Sequence, residues 1–253
     1  MRLEQVEQRV LGAIRFVDAT TKLKIRAPLS VEAAGLKFVR NLSGHYVIAN
    51  ALGLEAHVAA FENPPASPAL GNLAFEVSVA DPSHKYLPRR HALKLPRDPD
   101  PQHHAAADSL FQFISVELFP SSIAQTGPGW AVIRATVLKL GTREPLKGSL
   151  IRVTRKNGTA GDEKPLGRGL TDQRGEALVA VPGIPVTTFG EGAGAVTTNE
   201  IDVTIAAFVD PNASGIPDPD DLEARRATLK TAATDAKLAS GRMLPLTLEV
   251  PIP

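Results

Sequence analysis

The chain has 253 residues, enough for one large β domain or two of roughly 100 to 130 residues each. Its 28 Lys and Arg nearly cancel its 27 Asp and Glu, and a net charge of +1 makes no electrostatic case for nucleic acid or an anionic membrane surface. With no cysteine, a disulfide framework and a thiolate zinc site are both excluded.

Glu4, Glu7 and Arg9 interrupt the N-terminal stretch where a signal peptide needs an unbroken apolar run. No segment reaches the roughly 18 apolar residues of a membrane span. The expectation is cytoplasmic synthesis without Sec export. A cysteine-free chain also suits later release outside the cell.

Prolines (21) and glycines (20) punctuate most of the sequence, which points to many short strands joined by turns. In chain order the candidate strands are "LSVEAA", "HYVIANAL", "LAFEVSVA", "RHALKLP", "LFQFISVELF", "WAVIRATVLKL", "SLIRVTR", "EALVAVPG", "IDVTIAAFV" and "LPLTLEVPI". Phe75, Val77 and Val79 alternate with Glu76 and Ser78. Ile201, Val203 and Ile205 alternate with Asp202 and Thr204, and Leu244, Leu246, Leu248 and Val250 repeat the pattern. Period-2 alternation describes sheets with one buried and one wet face, hence antiparallel β-sandwiches. One glycine-free segment, 219–240, is rich in Ala, Leu, Glu, Arg and Lys. It reads as a single helix inserted before the last strand, with Leu222, Leu229 and Ala233 near one face, Asp220 or Asp221 as N-cap and Gly241 just past its end.

Residues 13–48 and 132–181 form an internal repeat. Ile14-Arg15 matches Ile133-Arg134, Pro28-Leu29 matches Pro145-Leu146, and Ser43-Gly44-His45 matches Arg174-Gly175-Glu176. One unit used twice implies two similar domains, 1–120 and 121–253. The join falls in the Pro/Gly/Ser-rich stretch 120–130, where the one tryptophan, Trp130, is expected to pack the domains together.

In the second copy, a strand and loop lead into Thr171-Asp172, then Gly175-Glu176, an apolar strand and Pro182-Gly183. This resembles the carboxypeptidase-regulatory-like (transthyretin-like) β-sandwich family over about residues 130–210, and more weakly over 12–60. The resemblance implies that Asp172 caps backbone N–H groups in a tight turn and that Gly175 takes a positive φ, a scaffold role with Thr171 beside them. Over the whole chain, the order "DPSHKYLPRRHALKLPRD", "FQFISVELFPSS", "GPGWAVIRATV", "GRGLTDQRGEALVAVPGIP" and the expected terminal helix plus strand is similar to accessory proteins encoded with phage-tail-like contractile injection particles. That likeness implies a non-catalytic structural or adaptor part, released from the cell within an assembled particle, whose partners are tail, baseplate or cap proteins. The other class kept open is a free-standing module that recognises a carbohydrate or peptide through sandwich loops. An aromatic content of only 5% argues against sugar stacking.

Two stretches carry candidate sites. "KYLPRRHALKLPRD", 85–98, sets Lys85, Arg89, Arg90, Lys94 and Arg97 around Tyr86, Leu87, Leu93 and Leu95. Flanking Pro88 and Pro96 suggest an edge strand, so these residues are either a solvated strand face or a docking edge for an acidic partner. "DPNASGIPDPDD", 210–221, puts Asp210, Asn212, Ser214, Gly215, Asp218 and Asp221 at positions 1, 3, 5, 6, 9 and 12 of an EF-hand-like calcium loop. An Asx-Pro turn and a helix N-cap use the same residues, and Asp stands where the bidentate Glu is usual. No cofactor other than this calcium is suggested.

His103 and His104, near Asp100 and Asp108, lack a third ligand and read as a solvated loop. His45, His57, His84 and His91 are isolated. "GEGAGAV", 190–196, lacks the lysine of a phosphate loop and reads as a hairpin tip. With no Gly-x-Ser-x-Gly and no marked carboxylate pair, an enzyme is not expected.

Overall fold

In the computed structural model the described residues are 9–60, 64–156, 165–184, 187–189, 196–198 and 200–252. The tip at 190–195 and the two N-terminal glutamates lie outside them. The chain divides into two compact units. The first takes the chain up to Val17, Leu23–Pro82 and Pro88–Glu117; the second takes Asp18–Lys22, Ser83–Leu87 and the chain from Leu118 onward.

The described residues are mainly β, with several antiparallel sheets and two short helices among them. The first unit holds β1 (Gly12–Asp18), β2 (Ser30–Glu32), β3 (Leu36–Arg40), β4 (Tyr46–Ala51), helix α1 (Glu55–Ala59), β5 (Leu73–Ala80), β6 (Arg89–Leu95) and β7 (Ile114–Leu118). Its strands form sheets of order β3-β4-β1-β7 and β2-β5-β6. Alternation decides the inner faces: Ile14 and Phe16, Tyr46 and Ile48, Val77 and Val79, and Leu93 and Leu95 are all buried. Each such side chain contributes roughly 1.5–3 kcal/mol by leaving water. Tyr46 is buried because its hydroxyl is satisfied twice, donating to Leu29 O at 2.9 Å and accepting from Leu29 N at 2.7 Å.

The second unit holds β8 (Ala131–Lys139), β9 (Leu150–Arg155), β10 (Gly167–Leu170), β11 (Glu176–Val181), β12 (Thr187–Phe189), β13 (Val196–Thr198), β14 (Glu200–Val209), helix α2 (Pro219–Ala224), β15 (Lys230–Ala239) and β16 (Met243–Val250). Sheets of order β10-β9-β14-β15 and β11-β8-β16 face each other across one core. Ile133 and Val137, Ile151 and Val153, Val179, Val203 and Ile205, and Leu248 and Val250 fill it. β10 lies close to β11 because Gly169 has no side chain: a Cβ there would sit 2.6 Å from Val179 Cγ2. On the outer face of the first of these sheets, Leu222 of α2 packs with Phe119, Leu150 and Leu170. Trp130 packs against Val132, Leu178 and Ala180, all within the second unit.

Three expectations need correction. The helix over 219–240 ends at Ala224; a 3-10 turn follows at Arg226–Thr228, and Lys230–Ala239 is a strand. All ten of its residues pair antiparallel with β14, from Lys230 against Val209 to Ala239 against Glu200. The Ala/Lys composition favours a helix, but Ala232, Ala236 and Leu238 fall on one face of a strand and join the core; tertiary pairing outweighs a propensity difference of a few tenths of a kcal/mol per residue. The N-cap is Asp218, whose carboxylate accepts from Asp220 N, rather than Asp220 or Asp221. Finally, β16 runs parallel to β8, so that sheet is not purely antiparallel.

The repeat is present as matching hydrogen bonds, although its sequence alignment slips in the first half. Lys22 N donates to Asp18 O and Arg143 N to Lys139 O, each at 2.9 Å, and both basic residues have φ of 60°. Val17 bridges Lys24 as Leu138 bridges Pro145. Lys24-Ile25, not Pro28-Leu29, is therefore the counterpart of Pro145-Leu146. Ile14 pairs with Tyr46 as Ala135 pairs with Ala177, so Ile14-Arg15 corresponds to the next residue pair along β8 from Ile133-Arg134.

Candidate functional site

The turn at 172–175 is a closed local network. Asp172 Oδ1 accepts from Arg174 N at 2.8 Å and Glu176 N at 3.0 Å, and Gly175 N donates to Asp172 O at 3.1 Å. Gly175 has φ +72°, and its carbonyl accepts from Val137 N at 2.8 Å. Thr171 Oγ1 donates to Leu146 O and accepts from Ser149 N, both at 2.7 Å. Asn41 builds the same turn in the first unit: its Oδ1 accepts from His45 N at 2.9 Å, Gly44 N donates to Asn41 O at 2.9 Å, and Gly44 has φ +80°. These residues terminate and restart strands.

The five docking candidates separate into four environments. Arg89 is 1% exposed, and its guanidinium donates to Glu117 O at 2.8 Å and Arg90 O at 3.0 Å. It is a structural residue inside the first unit and cannot meet a partner. Arg97 is half-buried and braces residues 107–112, donating to Ser109 O at 2.7 and 3.1 Å and to Ala107 O at 2.8 Å. Burial holds its pKa below the ordinary guanidinium value. Tyr86 donates its hydroxyl to Asp18 Oδ2 at 3.0 Å within the second unit.

Arg90 and Lys94 remain on the outer face of β6. Arg90 Nη1 donates to both Glu76 oxygens at 2.9 and 3.0 Å, while Lys94 is exposed opposite Ala74. With Glu32, Ser78 and Ala92 they make a mixed-charge face. The strand alternation of "RRHALKL" is what sends Arg89 in and Arg90 out. A basic run read without its phase counts both.

In 210–221 the structure brings Asp210 and Asp221 together on a residue the sequence reading left out. Arg225 Nε donates to Asp221 Oδ1 and Oδ2 at 3.0 and 2.8 Å, and its Nη2 donates to Asp210 Oδ2 at 3.0 Å. Hydrogen bonds to Asp221, then Asp210, raise the Arg225 pKa further. Asp210 is held below its ordinary value by the Asn212 N–H, then by Arg225. The other Asp210 oxygen accepts from Asn212 N at 3.0 Å, an Asx turn. Ser214, Gly215 and Asp218 follow in sequence, with Asp218 committed to its helix cap. The missed signal was the i, i+4 spacing of Asp221 and Arg225 on a helix.

His103 Nδ1 lies 2.7 Å from Asp98 Oδ2, and that hydrogen bond raises the imidazole pKa. His104 Nδ1 sits 3.1 Å from Pro101 O. His45 stacks on Phe113 at 4.3 Å between ring centres, and burial lowers its pKa. Among the described residues no group of three or more His, Asp or Glu is placed to hold a metal ion. No helix among them is long and apolar enough to cross a membrane.

No protein-family model matches the chain, and no curated protein matches it. Among solved structures it is similar to the shaft pilin SpaA from Lactobacillus rhamnosus GG, at 11% identity over 85% of this chain and 74% of that one, with a TM-score of 0.28. It is also similar to BcpA, the major pilin subunit of Bacillus cereus, at 12% identity over 97% of this chain and 60% of that one, again with a TM-score of 0.28. Likenesses at that level carry no inference for this chain.

Proposed function

We propose that this chain is a non-catalytic structural or adaptor protein that works through protein–protein contacts, as an accessory component of a phage-tail-like contractile particle. The observation that carries the contact role is β15. It is ten residues long, ends its sheet, and has β14 as its one neighbour in the strand order. An end strand of that length offers a row of backbone donors and acceptors to a partner strand. Along its first half the outward side chains are short: Thr231, Ala233 and Asp235 are exposed and leave an incoming backbone room to approach, with the longer Lys237 exposed beyond them. The contractile-particle assignment rests on the sequence resemblance alone.

The test is a photo-crosslinking amino acid at Ala233, with the host lysate irradiated and crosslinked species identified by mass spectrometry. A sheath, tube or baseplate protein crosslinked at Ala233, and not from a control position at exposed Lys147, supports the proposal. Crosslinks that are equal from both positions remove the role of β15. Partners that have nothing to do with a particle remove the contractile assignment.

A further inference from the structure

The first unit contains a pocket of about 210 Å³ that none of the roles above uses. Its walls are Leu11, Pro65, Pro68, Pro96, Pro99 and Leu110 among others, and its polar lining is Arg9, His57 and Arg97. Proline walls carry no backbone N–H, so they add apolar surface without donors. The volume is below the roughly 300–1,000 Å³ of drug-sized sites and suits one ring or one branched chain.

Two polar groups give the pocket its chemistry. His57, on α1, is 4% exposed, yet its Nδ1 has no hydrogen-bond partner. A buried orphan of this kind is costly, and a ligand that engages it recovers that cost. Arg97 is held by carbonyl oxygens of Ala107, Ser109 and Gln112. Those carbonyls orient the guanidinium but do not neutralise it. Burial depresses its pKa, with Asp108 acting only through space in the other direction. An apolar cavity with an orphaned imidazole nitrogen and an unneutralised guanidinium matches a small anion on an apolar body.

We infer that this pocket binds a small monocarboxylic acid with an aromatic or branched aliphatic body, the body between the prolines and the carboxylate toward His57 and Arg97. The site is independent of the adaptor role and stands or falls separately.

Benzoate titrated into the full chain and followed by 1H–15N NMR tests it, with benzamide as the uncharged control of the same shape. Saturable shifts at His57, Leu11 and Leu110 are expected, with benzamide at least about tenfold weaker for want of the charge-assisted bonds. His57→Leu is expected to weaken benzoate by a similar factor. Ala66→Trp, at an exposed lining position where folding is not at risk, should abolish the shifts. Absence of saturation, equal binding of benzamide, shifts confined to other residues, or full binding by Ala66→Trp would each overturn the assignment.

Discussion

A methyl group at position 175 would lie 2.6 Å from the Val137 carbonyl oxygen, on a backbone already at φ +72°. The left-handed backbone alone costs a residue with a Cβ about 1–2 kcal/mol, and the contact with fixed backbone adds to it. Gly175→Ala is therefore expected to lose about 2–4 kcal/mol, measured as a shift in the urea midpoint at unchanged slope. Asp172→Ala removes two acceptors from the same turn and should cost about 1 kcal/mol. At His103 the prediction is one of pH. Its hydrogen bond to Asp98 raises the pKa above 6.5, so its contribution to stability is complete below 6.5 and is lost as pH rises through the raised value. Asp98 is depressed below 3.8, first by the Asp100 N–H and then by His103, so its contribution is complete above 3.8 and is lost as pH falls through the depressed value. In Asp98→Asn the His103 titration, followed by NMR, should move back toward 6.5. At this scale, residues whose chemistry is satisfied within a few positions were legible: Asp172 and Gly175 make a turn wherever the chain carries them. Arg89 was not, because a buried arginine is defined by the Glu117 carbonyl it meets 28 residues away.

Strand β15 is the element that local composition misrepresents. Thr-Ala-Ala-Thr within it reads equally as helix or strand, and the register against β14 decides. Ala233 is exposed on that strand. Ala233→Val should leave stability unchanged or raise it by a few tenths of a kcal/mol on a strand, and lower it by about 0.5 kcal/mol in a helix. The sign of the change in the thermal midpoint discriminates the two. The loop before α2 makes a second prediction at this scale. Arg225 already occupies the Asp210 and Asp221 carboxylates, so millimolar calcium or a chelator should leave the thermal midpoint of the native chain unmoved. Arg225→Met should speed hydrogen exchange at the Asn212 and Ala213 amides, since Asp210 loses its ion pair. The acidic spacing of 210–221 was legible; the internal cation that answers it was four residues beyond the stretch that drew attention.

For the whole molecule, the strand that decides the second unit comes last. β16 lies parallel to β8 from Met243 against Val132 to Val250 against Lys139, and supplies buried Leu248 and Val250 to the core. Deleting residues 243–253 should abolish hydrogen-exchange protection across β8 and β11 and cost the second unit its cooperative transition. Retained protection in β8 would show that the parallel strand is dispensable.

The sequence by itself determined that this is a β protein with alternating strands, the class of its turns, and that one supersecondary unit recurs. Those properties follow from residues within a few positions of each other, through side-chain period and backbone torsion. Only the tertiary structure decided that 230–239 is a strand, that β16 is parallel, that Arg89 and His57 are inside and that Arg225 holds the acidic loop. Each of these depends on a partner distant in the chain or on the phase of a strand against its sheet, and composition carries neither.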